Sequence, residues 1–196
     1  MASICNRPEG DDALLDAARE CILAVGWRRT TLTEVSRRAG VSRMTLYRRW
    51  PDMQTLLADL MTREWSSVAF AAAENAAGQP DGIARLGAGI VAMVRSLREN
   101  PLFGKIVAVD PELLLPYLLD RRGRSQDAIL HLVERTIVSG QDDGSVRDAD
   151  PRLMARSVLL AAYGVTISAD TMTDHTLSVY SLCDELRLLV ERYAAR

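Results

Sequence analysis

The stretch TTLTEVSRRAGVSRMTLYRRW, residues 30–50, decides the fold. Thr31 and Glu34 stand three apart, the Thr-x-x-Glu spacing in which a hydroxyl and a carboxylate satisfy the free amides at a helix start. The helix they open ends near Ala39. Gly40 supplies a tight turn, and Ser42 can cap a second helix that runs to about Arg49. Val35, Ala39, Val41, Leu46 and Trp50 are the apolar positions that lock the two helices together. Two short helices joined in this way form a helix-turn-helix.

The residue types on the second helix suit DNA. A recognition helix presents short or polar side chains at its N-terminal turn, where the helix end enters the major groove. Ser42, Arg43, Met44 and Thr45 stand there. Arg43 can pair with guanine O6 and N7, and Met44 can pack on a thymine methyl. Tyr47 and Arg48 lie one turn on, where phosphate contacts are the usual role. Thr31 and Thr33, with the free amides of the first helix, can hold a phosphate. Arg37, Arg38 and Arg49 read equally as solvated surface or as DNA contacts, and Tyr47 also fits a half-buried core position.

The charge distribution points the same way. The formal net charge is −2, yet residues 1–50 hold nine arginines against six acids, while residues 51–196 hold fifteen basic groups against twenty acids. Trp27 to Trp50 contains seven arginines and one acid, Glu34. One basic end on a mildly acidic chain suits a polyanion at that end only. The longest uncharged run, Ser157 to Ala169, is 13 residues, short of the roughly 20 that span a bilayer. Arg7, Glu9, Asp11 and Asp12 leave no apolar leader, so the expected location is the cytoplasm with no membrane role. Cys5, Cys21 and Cys183 lack metal-ligand spacing, and Cys21 and Cys183 fit helical core positions.

Outward from the motif, helical periodicity recurs and two-residue alternation does not. Leu14, Ala18, Cys21 or Ile22, and Val25 mark a first helix, with Asp11 or Asp12 as its cap and Gly26 as its end. Asp52 caps a long helix over 53–77 that connects a DNA-binding domain, residues 1–51, to the remainder, 52–196. Gly78 to Gly82 is a loop. Ile83, Leu86, Ile90, Val94 and Leu97 line the next helix, which Asn100-Pro101 ends. Pro111 and Pro116 break residues 102–123 into short pieces. Helices follow over about 124–139, from Pro151 to about Ser168, and over about 174–194. The expectation is an all-α chain of about nine helices.

Residues 11–61 resemble the N-terminal domain of the tetracycline-repressor (TetR-like) family of bacterial regulators. The resemblance rests on Gly26-Trp27, Thr30-Thr31, Arg38-Ala39-Gly40-Val41-Ser42 and Thr45-Leu46-Tyr47-Arg48, with Asp52 to Leu57 matching the family's fourth helix. It implies an all-helical homodimer whose first three helices bind DNA, whose remainder encloses a pocket for a small-molecule effector and whose last two helices build a four-helix dimer interface; a palindromic operator follows from the two-fold symmetry. Effector binding in such proteins shifts the spacing of the two recognition helices. The family often carries a phosphate-binding lysine near the start of the fourth helix. Here that segment is Pro51-Asp52-Met53-Gln54, acidic where the lysine would be.

Small residues on the helix from Pro151, among them Ala155 and Ala161, allow close approach of another helix. The stripe Leu182, Leu186, Leu189 and Tyr193 needs burial, against a second copy or within one chain. Trp65, Met93, Leu97, Phe103, Tyr117, Tyr163 and Met172 are the large residues available to line an apolar pocket, although core packing is the simpler reading of each. Asp127, His131 and Glu134 share a helix face without a further ligand, which reads as solvated surface, and no metal or cofactor is implied. With two histidines, no glycine-rich phosphate loop and no nucleophile–base pair, enzymatic activity is not expected. The reading is a ligand-responsive DNA-binding regulator, most simply a repressor. The alternative is a DNA-binding regulator without a small-molecule ligand, controlled by a protein partner or by its own concentration.

Overall fold

The computed structural model describes residues 9–196, so Cys5 and Arg7 lie outside it. The described residues form ten α-helices and no strand. In chain order these are α1 (Glu9–Val25), α2 (Leu32–Arg38), α3 (Arg43–Arg49), α4 (Met53–Ala76), α5 (Gly82–Glu99), α6 (Pro101–Val109), α7 (Leu115–Leu119), α8 (Arg124–Asp142), α9 (Pro151–Ser168) and α10 (Val179–Ala194). The one beyond the expected nine is α7, a five-residue piece in the proline-broken stretch.

Three helix ends differ from the sequence reading, each for a local reason. α1 begins at Glu9, so Asp11 and Asp12 lie within its first turn and are not caps. Asp11 is buried and forms an ion pair with Arg49. α10 begins at Val179, because Asp174 is spent on a turn of its own. Its carboxylate accepts from the Thr176 and Leu177 amides at 2.7 and 3.0 Å, and Ser178 then caps the helix. α8 continues three residues past Ser139 to Asp142.

The chain divides into two compact units. The N-terminal unit runs to Glu64 and takes in Asn100–Gly123. The boundary expected at residue 51 does not coincide with this division, and burial explains why. Leu56, Leu57 and Leu60 bury the first turns of α4 within the N-terminal unit. Leu102, Phe103 and Ile106 bury one face of α6, which packs on α1. Asn100 does more than end a helix. Its side chain accepts from the Leu102 and Phe103 amides and opens α6 with proline at the first position. Beyond α6, the buried Asp110 accepts from the Trp27 amide at 2.9 Å. Glu112 takes Arg28 at 2.6 Å.

The C-terminal unit holds Trp65–Glu99 and Arg124–Arg196. Its core is built from Ile90 and Val94 of α5, Val133 and Ile137 of α8, Met154 and Val158 of α9, and Leu186 and Val190 of α10. Each such side chain, fully buried, contributes about 1.5–3 kcal/mol. α5 and α8 meet where both helices carry glycine. A Cβ on Gly82 would lie 2.1 Å from the Gly140 Cα. Asp143 holds this crossing with a bond from the Gly82 amide at 2.8 Å and one from Arg85 at 2.9 Å. Bonds from the Ser145 hydroxyl and amide, then from Gly82 and Arg85, lower the Asp143 carboxyl from 3.8 to about 2.

Candidate nucleic-acid interface and ligand cleft

α2 starts as the Thr-x-x-Glu spacing requires, but only half of the reciprocal box forms. The Thr31 side chain accepts from the Glu34 amide at 3.2 Å. The Glu34 carboxylate turns instead to Arg37, at 2.6 and 3.0 Å, and those bonds hold its carboxyl below the ordinary range. Val35 is fully buried, and Ser36 donates to the Thr33 carbonyl at 2.8 Å. The turn then closes on Gly40 at φ 67°, a region that costs any other L residue about 1 kcal/mol or more. The Val41 amide reaches back to Ser36 O at 3.0 Å and the Gly40 amide to Arg37 O at 3.3 Å. This crossed pair satisfies the last carbonyls of α2 and sets the entry angle of α3.

Ser42 caps α3 by accepting from the Thr45 amide at 3.1 Å, and the two hydroxyls lie 2.9 Å apart. Leu46 and Trp50 are buried, and the indole N–H of Trp50 donates to Asp59 at 3.0 Å. The inner face of α3 is thereby fixed, and its outer face is fully presented. Arg43, Met44, Tyr47 and Arg48 are all exposed, Met44 by 76%. Tyr47 stands at the surface and is not a core aromatic. Thr31 and Ser42 are exposed as well, with Thr33 and Thr45 half-buried beside them.

The structure sorts the arginines by partner. Arg37 is held by Glu34, Arg38 by Glu20 at 2.9 Å, Arg49 by Asp11 and Arg28 by Glu112. Such pairs are weak at a surface, but each must be given up before the cation can serve a phosphate. Among the described residues no ion pair engages Arg29, Arg43 or Arg48. Arg29, in a 3-10 turn over Trp27–Arg29 just ahead of Thr30, was not singled out from the sequence. Adjacent Arg28 and Arg29 look alike there, and the acid that occupies only Arg28 lies 84 residues away. At the start of α4, the Asp52 carboxylate accepts from the Thr55 amide at 2.7 Å, which holds it below the ordinary range. The amides that a phosphate would use there are already served by the chain's own carboxylate.

Within the C-terminal unit a cleft of about 320 Å³ opens between α4, α5 and α8. It exists because α4 offers only Ala69, Ala73 and Ala76 to that side, with Ala77 just beyond its end. Methyl groups leave unfilled the space that larger side chains would close. Met93 is the one expected pocket residue that lines it. Trp65 is buried, Leu97 is half-buried and Tyr163 packs against the core, none of them on the cleft. Phe103 and Tyr117 belong to the N-terminal unit, and Met172 is exposed. This cleft is lined by small residues for a physical reason: large side chains fill volume, and small ones leave it open.

The expected dimer residues divide in the same manner. Ala155 and Leu186 are buried in the core of their own chain, so neither is available to a partner. Ala161, Leu189 and Tyr193 are exposed and Leu182 is half-buried. Leu153, Leu160 and Gly164 extend the same outer face of α9, Leu160 being 68% exposed. His131 lies 3.7 Å from Glu134, which also faces Arg156 at 3.5 Å. Among the described residues no three of His, Cys, Asp or Glu are placed to hold a metal ion, and no helix is long and apolar enough to cross a membrane.

Comparisons with known proteins agree with this geometry. Residues 14–60 match the sequence profile of Bacterial regulatory proteins, tetR family. An uncharacterized HTH-type transcriptional regulator of Mycobacterium tuberculosis is 36% identical over 194 residues, 98% of this chain and 99% of its own length. Among solved structures, RolR in complex with resorcinol superposes with a TM-score of 0.69 at 15% identity, covering 95% of this chain and 87% of that one. The regulator FadR of Bacillus subtilis in complex with stearoyl-CoA superposes with a TM-score of 0.64 at 16% identity, covering 91% and 96%. The chain is an all-α, helix-turn-helix transcriptional regulator and belongs to the tetR family of bacterial regulatory proteins.

Proposed function

We propose that the protein is a cytoplasmic, ligand-responsive repressor without catalytic activity, which binds a palindromic operator as a homodimer and releases it when a small molecule occupies the C-terminal unit. The observation that carries the DNA half is the outer face of α3, where Arg43 and Arg48, without an ion pair among the described residues, flank exposed Met44 and Tyr47 on a helix capped by Ser42. Arg43 reads a guanine and Met44 a thymine methyl, while Arg48, Tyr47 and the start of α2 hold phosphates. One such helix covers a half-site, so a specific reader needs two, spaced about 34–36 Å. The leucine and glycine face of α9, with Leu189 and Tyr193 of α10, is an apolar surface suited to a second copy of the chain.

The cleft supports the responsive half, as does the small molecule held by each of the two solved structures named above. An effector acts by binding one arrangement of the dimer more tightly than the other, and its leverage on the operator equals that difference. The test is selection of bound sequences from random duplex DNA by the full chain, repeated across a small-molecule panel. A palindrome whose affinity falls with salt and with at least one compound is expected. Selection of a single half-site, together with a monomer by sedimentation, would sink the dimeric reading. Leu160→Asp separates the cases, since it leaves the monomer core intact and is expected to abolish the dimer.

A further inference from the structure

We propose that the cleft between α4, α5 and α8 takes an amphiphile with an anionic head, an alkyl or aryl carboxylate, whose carboxylate sits on Arg135. This rests on the ligand-responsive reading above and names the effector's chemical class. The body of the cleft is apolar: Ala73, Ile90, Met93 and Ile129 present nothing that a polar ligand could bond. Its polar side chains, Arg85, Arg135, Thr136 and Ser139, come from the start of α5 and the later turns of α8. A ligand that satisfies both parts has one apolar portion and one polar head.

The sign of that head follows from which polar groups are already engaged. Arg85 is spent on Asp143 at 2.9 Å and reaches Ser139 at 3.3 Å. The Thr136 hydroxyl donates to the Leu132 carbonyl at 3.1 Å. Arg135 lines the cleft and has no ion pair among the described residues. An unneutralised guanidinium beside apolar surface attracts a carboxylate through charge-assisted hydrogen bonds, favours a neutral amide less and repels an ammonium. A cleft of about 320 Å³ lies at the small end of the range for small-molecule sites. A short-chain or single-ring acid fits whole, whereas a long chain would extend outside.

Titration calorimetry of the full chain with octanoate, octanamide and octylamine tests the class, with operator affinity measured alongside. Octanoate is expected to bind at least tenfold more tightly than octanamide, and octylamine not at all. Arg135→Gln, an exposed and structurally safe change, should reduce the octanoate advantage to within about threefold. Ala73→Leu should remove binding of octanoate by filling the cleft, and if it fails to fold, the Arg135→Gln comparison decides alone. Equal binding of octanoate and octanamide, a preference for octylamine, or octanoate binding unchanged in Arg135→Gln overturns the proposal. If a neutral or cationic compound from the wider panel lowers operator affinity, the anionic class fails and responsiveness stands. If octanoate and every panel compound leave operator affinity unchanged, responsiveness itself fails.

Discussion

The two units of this chain build their functional surfaces in opposite ways. In the N-terminal unit the candidate site is an addition: side chains set on a scaffold of contacts mostly three to six residues apart. Thr31 to the Glu34 amide, Val41 to Ser36 and Ser42 to the Thr45 amide are all of this kind. In the C-terminal unit the candidate site is a subtraction: alanines on α4 leave a cleft, and distant glycines let α5 and α8 meet. A site made by addition tolerates a lost contact, because each cap or ion pair carries little alone. A site made by subtraction fails on added volume, since the space it depends on lies against backbone that cannot move aside.

Substitutions can break that comparison, and the largest effect is expected at the helix crossing. Gly82→Ala places a methyl 2.1 Å from the Gly140 Cα and should cost about 3 kcal/mol in a denaturant titration. Gly89→Ala, whose methyl would meet only Ala76 Cβ at 3.7 Å, should be tolerated. If the two variants unfold alike, close backbone approach is not what holds this unit. In the N-terminal unit, Arg43→Ala should weaken specific DNA binding by about 1–3 kcal/mol and relax one base position. Arg37→Ala should lose less, since Glu34 already occupies that cation. Equal loss across all DNA sequences for Arg43→Ala would reassign it to phosphate binding. Thr31→Ala removes one cap and should cost about 1 kcal/mol of stability, well below Gly82→Ala.

The smallest effect is expected in acid. Asp143 has its carboxyl lowered from 3.8 to about 2, so the folded chain takes up its proton later than the unfolded one does. The stability it adds is complete above 3.8 and is lost as pH falls toward about 2. Asp143→Asn should flatten the acid limb of a stability–pH curve in that window and leave the curve near neutrality unchanged in shape. An acid limb identical to the parent's would show that Asp143 does not hold the α5–α8 crossing.

The features legible in the sequence follow the same contrast. The caps at Thr31, Ser42, Asp52 and Asp150, the glycine turn at Gly40 and the presented face of α3 were legible because each depends on neighbours within one or two turns. The misread details nearby, the cap of α1 and the start of α10, came from aspartates with more than one use. Asp11 pairs with Arg49, and Asp174 closes its own turn. Leu186 and Leu189 are both leucines on one stripe, yet one is buried and the other is 63% exposed. Periodicity places both on a face, but only packing decides where that face turns from core to surface.

By itself, then, the amino-acid sequence determined the all-α class, the helix-turn-helix and the side chains that the outer face of α3 exposes. Helix periodicity, caps and turns are short-range properties of the chain. The tertiary structure alone decided that Asn100–Gly123 belongs to the N-terminal unit, that Arg28 meets Glu112 while Arg29 has no ion pair among the described residues, and that the cleft is lined by alanine and not by aromatic residues. Each of these depends on residues brought together from far apart in sequence, and on volume left unfilled, which no local pattern encodes.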